Sequence, residues 1–300
     1  MEAILDRDRV ARMLGKRPPD CNKGDNGKGL LFAGSEGFYG AAVMAATACL
    51  RAGIGTLKAV CPGPVKQAFA VLPEAMVYGI GPDWSALDPA WARARLEEAT
   101  CMGLGPGMGR SPGVGAALRL ALATQKPMVV DADGLNALSG FSEGERRALL
   151  HKGAVLTPHP GEMARLTGLS VKEIKEDPAA VARSYAKAWG CTVLLKGHRT
   201  AIAGPDGEFA WNQSGNAGLA KGGSGDVLTG MILALLGQKL RPFAAACVGS
   251  YLLGASAETA FGLLQERMLM ARDVIGAVEG TLAFLWKPAL HDGVNQNEES

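Results

Sequence analysis

Gly29-Leu30-Leu31-Phe32-Ala33-Gly34, followed by the segment from Gly40 to Arg51 and then by Thr56-Leu57-Lys58-Ala59-Val60-Cys61, decides the fold. The outer pieces are short, mainly apolar runs that stop at Gly34 and at Pro62-Gly63-Pro64, the punctuation that follows strands. The middle piece is alanine-rich and long enough for several helical turns. A strand that is apolar at every position is buried on both faces, as in a parallel sheet between helices. The same rhythm returns at Ala75 to Tyr78, Ala99 to Leu104, Pro127 to Asp131, Ala154 to Thr157 and Cys191 to Lys196. It predicts an α/β fold, with a mostly parallel sheet covered by helices on both faces.

Towards the C-terminus the pattern changes. Thr200 to Ala203 and Glu208 to Trp211 flank Gly204-Pro205-Asp206-Gly207, which reads as a β-hairpin. A Gly/Ser/Asn loop from Ser214 to Ser224 leads into two or three helices that end near Trp286, and the polar stretch His291 to Ser300 is expected to fray. With no internal repeat and no long linker, residues 1–300 are expected to form a single domain.

Composition narrows the function classes. A net charge of +2 without a dense basic block argues against nucleic-acid binding. The six cysteines are scattered, with no CxxC pair, and read as reduced core residues of a cytoplasmic protein. The charged start (Glu2, Asp6, Arg7, Asp8, Arg9) is no signal peptide, and the apolar run from Phe243 to Leu264, interrupted by Ser250, Ser256 and Glu258, is a buried helix rather than a membrane span. The 41 glycines cluster in loops. Glycine inside a helix costs roughly 1 kcal/mol relative to alanine, so this usage favours backbone-lined binding turns over a helical bundle.

The chemistry concentrates at Lys221-Gly222-Gly223-Ser224-Gly225-Asp226-Val227-Leu228. Glycines followed by the helix-periodic Val227, Leu228, Met231, Ile232 and Leu235 make a phosphate cradle at a helix N-terminus, where free N–H groups and the helix dipole favour negative charge. Simple N-capping by Ser224 or Asp226 is the plainer reading, but it needs fewer glycines. No GxxxxGK[ST] occurs, and Gly103-Leu104-Gly105-Pro106-Gly107-Met108-Gly109 fails the dinucleotide spacing, since the third glycine would fall on Met108 or Arg110. A glycine turn at a strand end still lies where open α/β sheets bind ligands.

Asp131-Ala132-Asp133-Gly134-Leu135-Asn136 and Thr157-Pro158-His159-Pro160-Gly161-Glu162 end two further strands, and Lys196-Gly197-His198-Arg199-Thr200 ends a third. Taken singly, Asp133 suits a helix N-cap, His159 a hydrogen-bonded loop residue and the basic run a solvated turn. Their common place at strand ends points instead to phosphate and substrate contacts.

In order, these segments resemble the ADP/ATP-dependent NAD(P)H-hydrate dehydratases. Asn22-Lys23-Gly24-Asp25, Leu31-Phe32-Ala33-Gly34-Ser35, Tyr39-Gly40-Ala41-Ala42 and Leu50-Arg51-Ala52-Gly53 join the motifs above, from about residue 22 to about residue 285. The resemblance implies a ribokinase-like three-layer α/β/α fold with a C-terminal β-hairpin. It also implies a reaction in which a nucleotide phosphorylates the C6 hydroxyl of (6S)-NADHX or (6S)-NADPHX, and phosphate then leaves to give NADH or NADPH. ADP is the expected donor, giving AMP; ATP is the other. Mg2+ is the implied cofactor, with no protein ligands named.

Asp226 is the implied base. Gly222, Gly223, Ser224 and Gly225 form the anion hole, and Lys196, Gly197, His198, Arg199, Thr200 and Gly225 hold the nucleotide. Ala41, Gly105, Gly107, His159 and Asp226 line the hydrate pocket. Many relatives carry an N-terminal epimerase domain; this chain reads as a stand-alone dehydratase, tetrameric, and linked in function to an NAD(P)HX epimerase. The alternatives are a ribokinase-fold kinase of hydroxyethylthiazole or hydroxymethylpyrimidine type, and a nucleotide sensor without catalysis.

Overall fold

Alternation along one strand sets up the two cores. In a computed structural model of the chain, which describes residues 3–262 and 265–286, Leu30 and Phe32 face one set of helices while Leu31 and Ala33 face another, and all four are buried. The strands are β1 (Ala3–Ile4), β2 (Lys28–Phe32), β3 (Thr56–Pro62), β4 (Met76–Ile80), β5 (Cys101–Leu104), β6 (Met128–Val130), β7 (Ala154–Leu156), β8 (Thr192–Leu195), β9 (Thr200–Ala203) and β10 (Phe209–Asn212). They form one ten-stranded sheet in the order β1-β10-β9-β8-β7-β6-β5-β2-β3-β4. From β4 to β8 every pairing is parallel; β9 runs antiparallel to both β8 and β10.

On one face lie α1 (Arg7–Leu14), α2 (Tyr39–Arg51), α10 (Ser224–Gly237), α11 (Pro242–Phe261) and α12 (Ala271–Leu285). The other face carries α3 (Pro89–Glu98), α4 (Pro112–Leu122), α5 (Ala132–Ser139), α6 (Glu143–Leu149), α7 (Pro160–Thr167), α8 (Val171–Glu176) and α9 (Pro178–Trp189). This is the α/β/α arrangement expected from the strand–helix rhythm, hairpin included. No described helix is long and apolar enough to cross a membrane. The polar stretch His291 to Ser300 and the tail from Lys287 lie outside the described residues.

Two elements escape the sequence pattern. Ala3–Ile4 is too short to show a period, yet it pairs in parallel with Ala210 and Trp211 of β10. The charged segment behind it becomes α1, capped by Asp6, which accepts a hydrogen bond from the N–H of Arg9 at 2.7 Å and buries Val10. Here capping and one buried side chain, rather than a broad apolar stripe, specify the helix.

The sheet reverses direction once. From β2 the chain builds outward through β3 to β4, then returns to place β5 on the opposite side of β2. Such a switch point opens a crevice beyond the carboxyl ends of the two strands, the usual ligand position in open α/β sheets. Asn22 to Asp25, by contrast, precedes β2 and packs against the Gly55 turn at the other end of the strands.

Helix α10 occupies the centre of its layer. Every residue from Val227 to Gly237 is buried, between α2, α11 and strands β5 and β6. Burying each leucine stabilises by roughly 1.5–3 kcal/mol before entropy is counted. The approach to α2 depends on Gly230, where a Cβ would overlap the backbone oxygen of Ala45. Gly276 on α12 is exposed and has open space around it. Gly230→Ala is therefore expected to destabilise by about 2–4 kcal/mol through overpacking, whereas Gly276→Ala gains about 0.5–1 kcal/mol from helix propensity. Denaturant unfolding measures both, and equal effects would contradict the packing argument.

Candidate active site

The polar groups assemble along one edge, where β2, β5, β6, β7 and β8 end. At the switch point two glycine turns clasp each other. Gly34 N–H donates to Pro106 O at 2.8 Å, Ser35 Oγ donates to Gly107 O at 2.8 Å, and buried Trp84 donates through Nε1 to Gly34 O at 2.8 Å. Gly105 has a φ of 131°, and a Cβ there would collide with the backbone oxygen of Asp131. At Gly107 a Cβ would come within 2.9 Å of the Ala41 methyl and 2.6 Å of Phe38 O. Ala41, Gly105 and Gly107, expected at one pocket, thus lie at one crevice.

Asp133 does not cap a helix. It sits inside the first turn of α5, where its carboxylate accepts from Gly109 N–H at 2.7 Å and from Asn136 Nδ2 at 3.1 Å. It therefore fixes the far end of the Gly105–Gly109 turn. Arg165 Nε donates to Asn136 Oδ1 at 3.0 Å, extending this chain to α7.

His159 is the N-cap of α7. Its Nδ1 accepts from the N–H groups of Gly161 and Glu162, while Glu162 reaches back to the N–H of His159 at 2.8 Å, a reciprocal capping box. Burial and the nearby Lys196 and Arg165 charges hold its pKa below the ordinary imidazole value. With Nδ1 accepting, the neutral ring carries its proton on Nε2, which lies 3.4 Å from Glu162 Oε1.

At the centre, Lys196 Nζ donates to Asp131 Oδ1 at 2.7 Å and lies 3.8 Å from Glu162 Oε2. Asp131 is 1% exposed, and its second oxygen, Oδ2, accepts from Thr229 Oγ1 at 3.0 Å. Burial opposes the charge on Lys196, but Asp131, Glu162 and Asp226 outweigh it and leave its pKa above the usual lysine value. Burial alone raises Glu162 more than Lys196 lowers it.

Helix α10 begins here. Gly223 adopts a φ of 100°, and a Cβ there would press on Met44 Sδ and the Ala271 methyl. Among the described residues the N–H groups of Ser224, Gly225 and Asp226 have no protein acceptor, so the helix presents free donors and its positive dipole end at the sheet edge. Gly225 faces the ion pair: a Cβ would sit 3.2 Å from Asp131 Oδ2 and 3.5 Å from Lys196 Nζ. Lys221 anchors the loop, donating to the carbonyls of Arg267 and Leu269 at 2.7 Å each. Asp226, in the first turn, has its pKa pushed up to about 7, chiefly by burial and then by Asp131, against the lowering effect of Lys196.

On the other flank the β8–β9 turn presents Gly197, His198 and Arg199 to solvent, with Thr200 opening β9. Arg199 lies over the Trp211 ring at 4.7 Å, and the Gln213 amide oxygen, turned towards it, accepts from its Nη2 at 2.7 Å. The basic run is therefore partly held by the hairpin rather than wholly solvated.

The sequence reading passed over Thr229, hidden among apolar neighbours in a helix buried on all sides. Its one available signal was its place a turn beyond Gly225, to whose carbonyl it also donates at 3.1 Å.

Comparison with known proteins identifies the family. The family model for NAD(P)H-hydrate dehydratase matches residues 30–274. The chain is 43% identical over 274 residues to the bifunctional NAD(P)H-hydrate repair enzyme of Moorella thermoacetica, covering 87% of this chain and 50% of that one. It is 41% identical to the ADP-dependent (S)-NAD(P)H-hydrate dehydratase of Neisseria meningitidis, covering 83% and 82%. It thus spans about half the length of the bifunctional relative and most of the single-function one. The crystal structure of the Bacillus subtilis ADP/ATP-dependent NAD(P)H-hydrate dehydratase, co-crystallised with ATP/Mg2+, superposes with a TM-score of 0.81 at 32% identity, over 95% of this chain and 99% of that one. With both a family model and relatives of this similarity spanning the sheet and its polar edge, the chain belongs to the NAD(P)H-hydrate dehydratase family.

Proposed function

We propose that this chain dehydrates (6S)-NADHX or (6S)-NADPHX to the reduced dinucleotide, converting ADP to AMP and phosphate. The observation that carries the reading is the placement of the Asp226 carboxyl, whose pKa burial pushes up to about 7, beside free helix N–H donors and a fixed ammonium group. Hydroxide is a poor leaving group and phosphate a good one. In the first step Asp226 takes the C6 hydroxyl proton while that oxygen bonds to the terminal phosphorus of ADP, and the bond to the leaving AMP oxygen breaks. In the second, the C6–O bond breaks towards phosphate, and loss of a ring proton restores the double bond.

Gly222 to Gly225 would stabilise charge on the moving phosphoryl group through preorganised N–H dipoles, with Lys196 beside them. Gly197 to Thr200 would hold the rest of the nucleotide. The switch-point crevice at Ala41, Gly105 and Gly107, with His159 at its flank, would hold the hydrate, so donor and acceptor meet from opposite sides of Asp226. Among the described residues no three His, Cys, Asp or Glu converge on a metal position. Mg2+ would be carried on the nucleotide phosphates with its own waters, where it would supply charge neutralisation. The same reading takes the whole chain as one dehydratase domain in the cytoplasm, its cysteines all unpaired, as a homotetramer supplied by a separate or fused epimerase.

The decisive assay mixes the protein with hydrated NADH or NADPH, Mg2+ and either ADP or ATP. It follows the reduced nicotinamide chromophore and released phosphate. Stoichiometric appearance of both with one nucleotide is expected; phosphate retained on the product would point to a kinase. Asp226→Asn should lower kcat by about a thousandfold with the KM for ADP within about threefold of the original. A nearly unchanged kcat would remove Asp226 from the role of base.

The pH dependence has a definite sign. A base must be ionised, so kcat/KM is expected to fall as pH drops through about 7. Stability runs the other way. The folded pKa of Asp226 lies above its unfolded value, so protonation favours the fold; the cost of ionisation starts near the unfolded carboxyl value, about 4, and levels off above about 7. Asp226→Asn should therefore stabilise by up to about 4 kcal/mol at about pH 8 and by almost nothing at about pH 4. Thermal unfolding across pH measures this, and a pH-independent difference would contradict it.

A further inference from the structure

We propose that Asp131 is a positioning residue: its carboxylate, fixed by Thr229, holds the Lys196 ammonium off Asp226 and so leaves Asp226 free to take the substrate proton. The proposal rests on the reading of Asp226 as base, and the geometry supplies the rest. Lys196 stands within reach of three carboxylates but hydrogen-bonds to only one, Asp131, at 2.7 Å. Its separation from Glu162 is 3.8 Å, and Asp226 acts on it through space alone.

Asp131 cannot easily turn away. It is fully buried, one oxygen takes the ammonium, and the other takes the Thr229 hydroxyl at 3.0 Å. Its backbone is equally constrained, since the next residue, Ala132, has a φ of 46°, a conformation that costs a residue other than glycine about 1–3 kcal/mol. The Asp131 carbonyl abuts Gly105, and its N–H donates to Leu104 O at 3.1 Å. Gly225, lacking a Cβ, lets the first turn of α10 close on this pair.

The charges facing Asp226 come from two elements. Asp131 and Asp133 at the β6–α5 corner oppose its ionisation, and Lys196 at the end of β8 favours it. Glu162 on α7 acts on Lys196, and His159 beside it is held towards its neutral form. Removing the Asp131 charge therefore changes two terms with the same sign. One anion near Asp226 disappears, and the freed ammonium can swing to Asp226 and bind its carboxylate. A carboxylate so paired is a weaker base.

Asp131→Asn keeps the shape and removes the charge. In the full chain, assayed with hydrated NADPH and ADP, the acid limb of kcat/KM should move down by at least about one pH unit. The plateau kcat should fall about tenfold while the KM for ADP changes less than about threefold. A limb that stays in place, whatever happens to the rate, overturns the proposal, because a merely structural aspartate would not set the Asp226 titration.

A second readout needs no turnover. The pH at which Asp226→Asn stops gaining stability over its parent marks the Asp226 titration. That corner should fall by at least about one pH unit in an Asp131→Asn background; an unmoved corner also overturns the proposal. If the parent protein lacks dehydratase activity but the corner moves, the functional reading fails and the electrostatic role of Asp131 stands. Should Asp131→Asn not fold, Thr229→Val leaves every charge and loosens the carboxylate. It is expected to lower kcat about threefold, with Thr229→Ser restoring the parent value. A Thr229→Val protein with the parent kcat would refute the fixing of Asp131.

Discussion

A helix that is apolar on every side can meet water only at its ends, and that constraint organises this molecule. Helix α10 is buried from Val227 to Gly237. Its polar first turn must therefore emerge where the layers stop, at the carboxyl edge of the strands. Gly230 draws α2 close alongside, so the helix cannot slide without breaking that contact. The unclaimed N–H groups of Ser224 to Asp226 are thus delivered to the strand ends by the packing of the core. Adjusting the loop ahead of them contributes little, because Lys221 already ties that loop to the carbonyls of Arg267 and Leu269.

The charge balance at that edge is uneven. Lys196 answers three carboxylates, Asp131, Glu162 and Asp226. With all three ionised the cluster would be negative and partly dry, and desolvation penalises each uncompensated charge. The molecule resolves this by rank: the best-fixed carboxylate, Asp131, takes the ammonium directly, while burial pushes Glu162 and Asp226 upward. An incoming nucleotide adds further negative charge. On the proposed reading, helix N–H dipoles and a divalent cation travelling with the phosphates would be the counterweights, since the Lys196 ammonium is already engaged by Asp131.

Much of the frame was legible in the residues. Mainly apolar runs ending in Gly34, Gly63 and Asp131 locate the strands within a residue or two, because burial on both faces leaves few polar positions to confuse the period. The Gly204–Gly207 turn likewise declares its hairpin. Less legible were elements defined by partners far away in sequence. Ala3–Ile4 becomes a strand only because β10 offers an edge, and Thr229 gains meaning only when β6 places Asp131 opposite it. Asp133 looked like a cap because aspartates in first turns commonly are. Its true partner, Gly109 N–H, comes from a different loop.

The topology also suits the proposed reaction, in which two substrates would share one carboxylate without sharing one pocket. The switch point lies between β2 and β5, and the β8–β9 corner lies further along the same edge, with β6 and β7 between them. Those two central strands lead into Asp131 and His159, and α10 packs against β5 and β6 from the opposite layer. In the proposed reaction an acceptor hydroxyl from the switch point and a phosphoryl group from the β8–β9 corner would approach along the sheet edge from opposing directions. In-line displacement needs that opposition, with attacking and leaving oxygens on either side of phosphorus. On the proposed reading Asp226 would stand where the two paths meet, with their directions set by the sheet order before any side chain contributes.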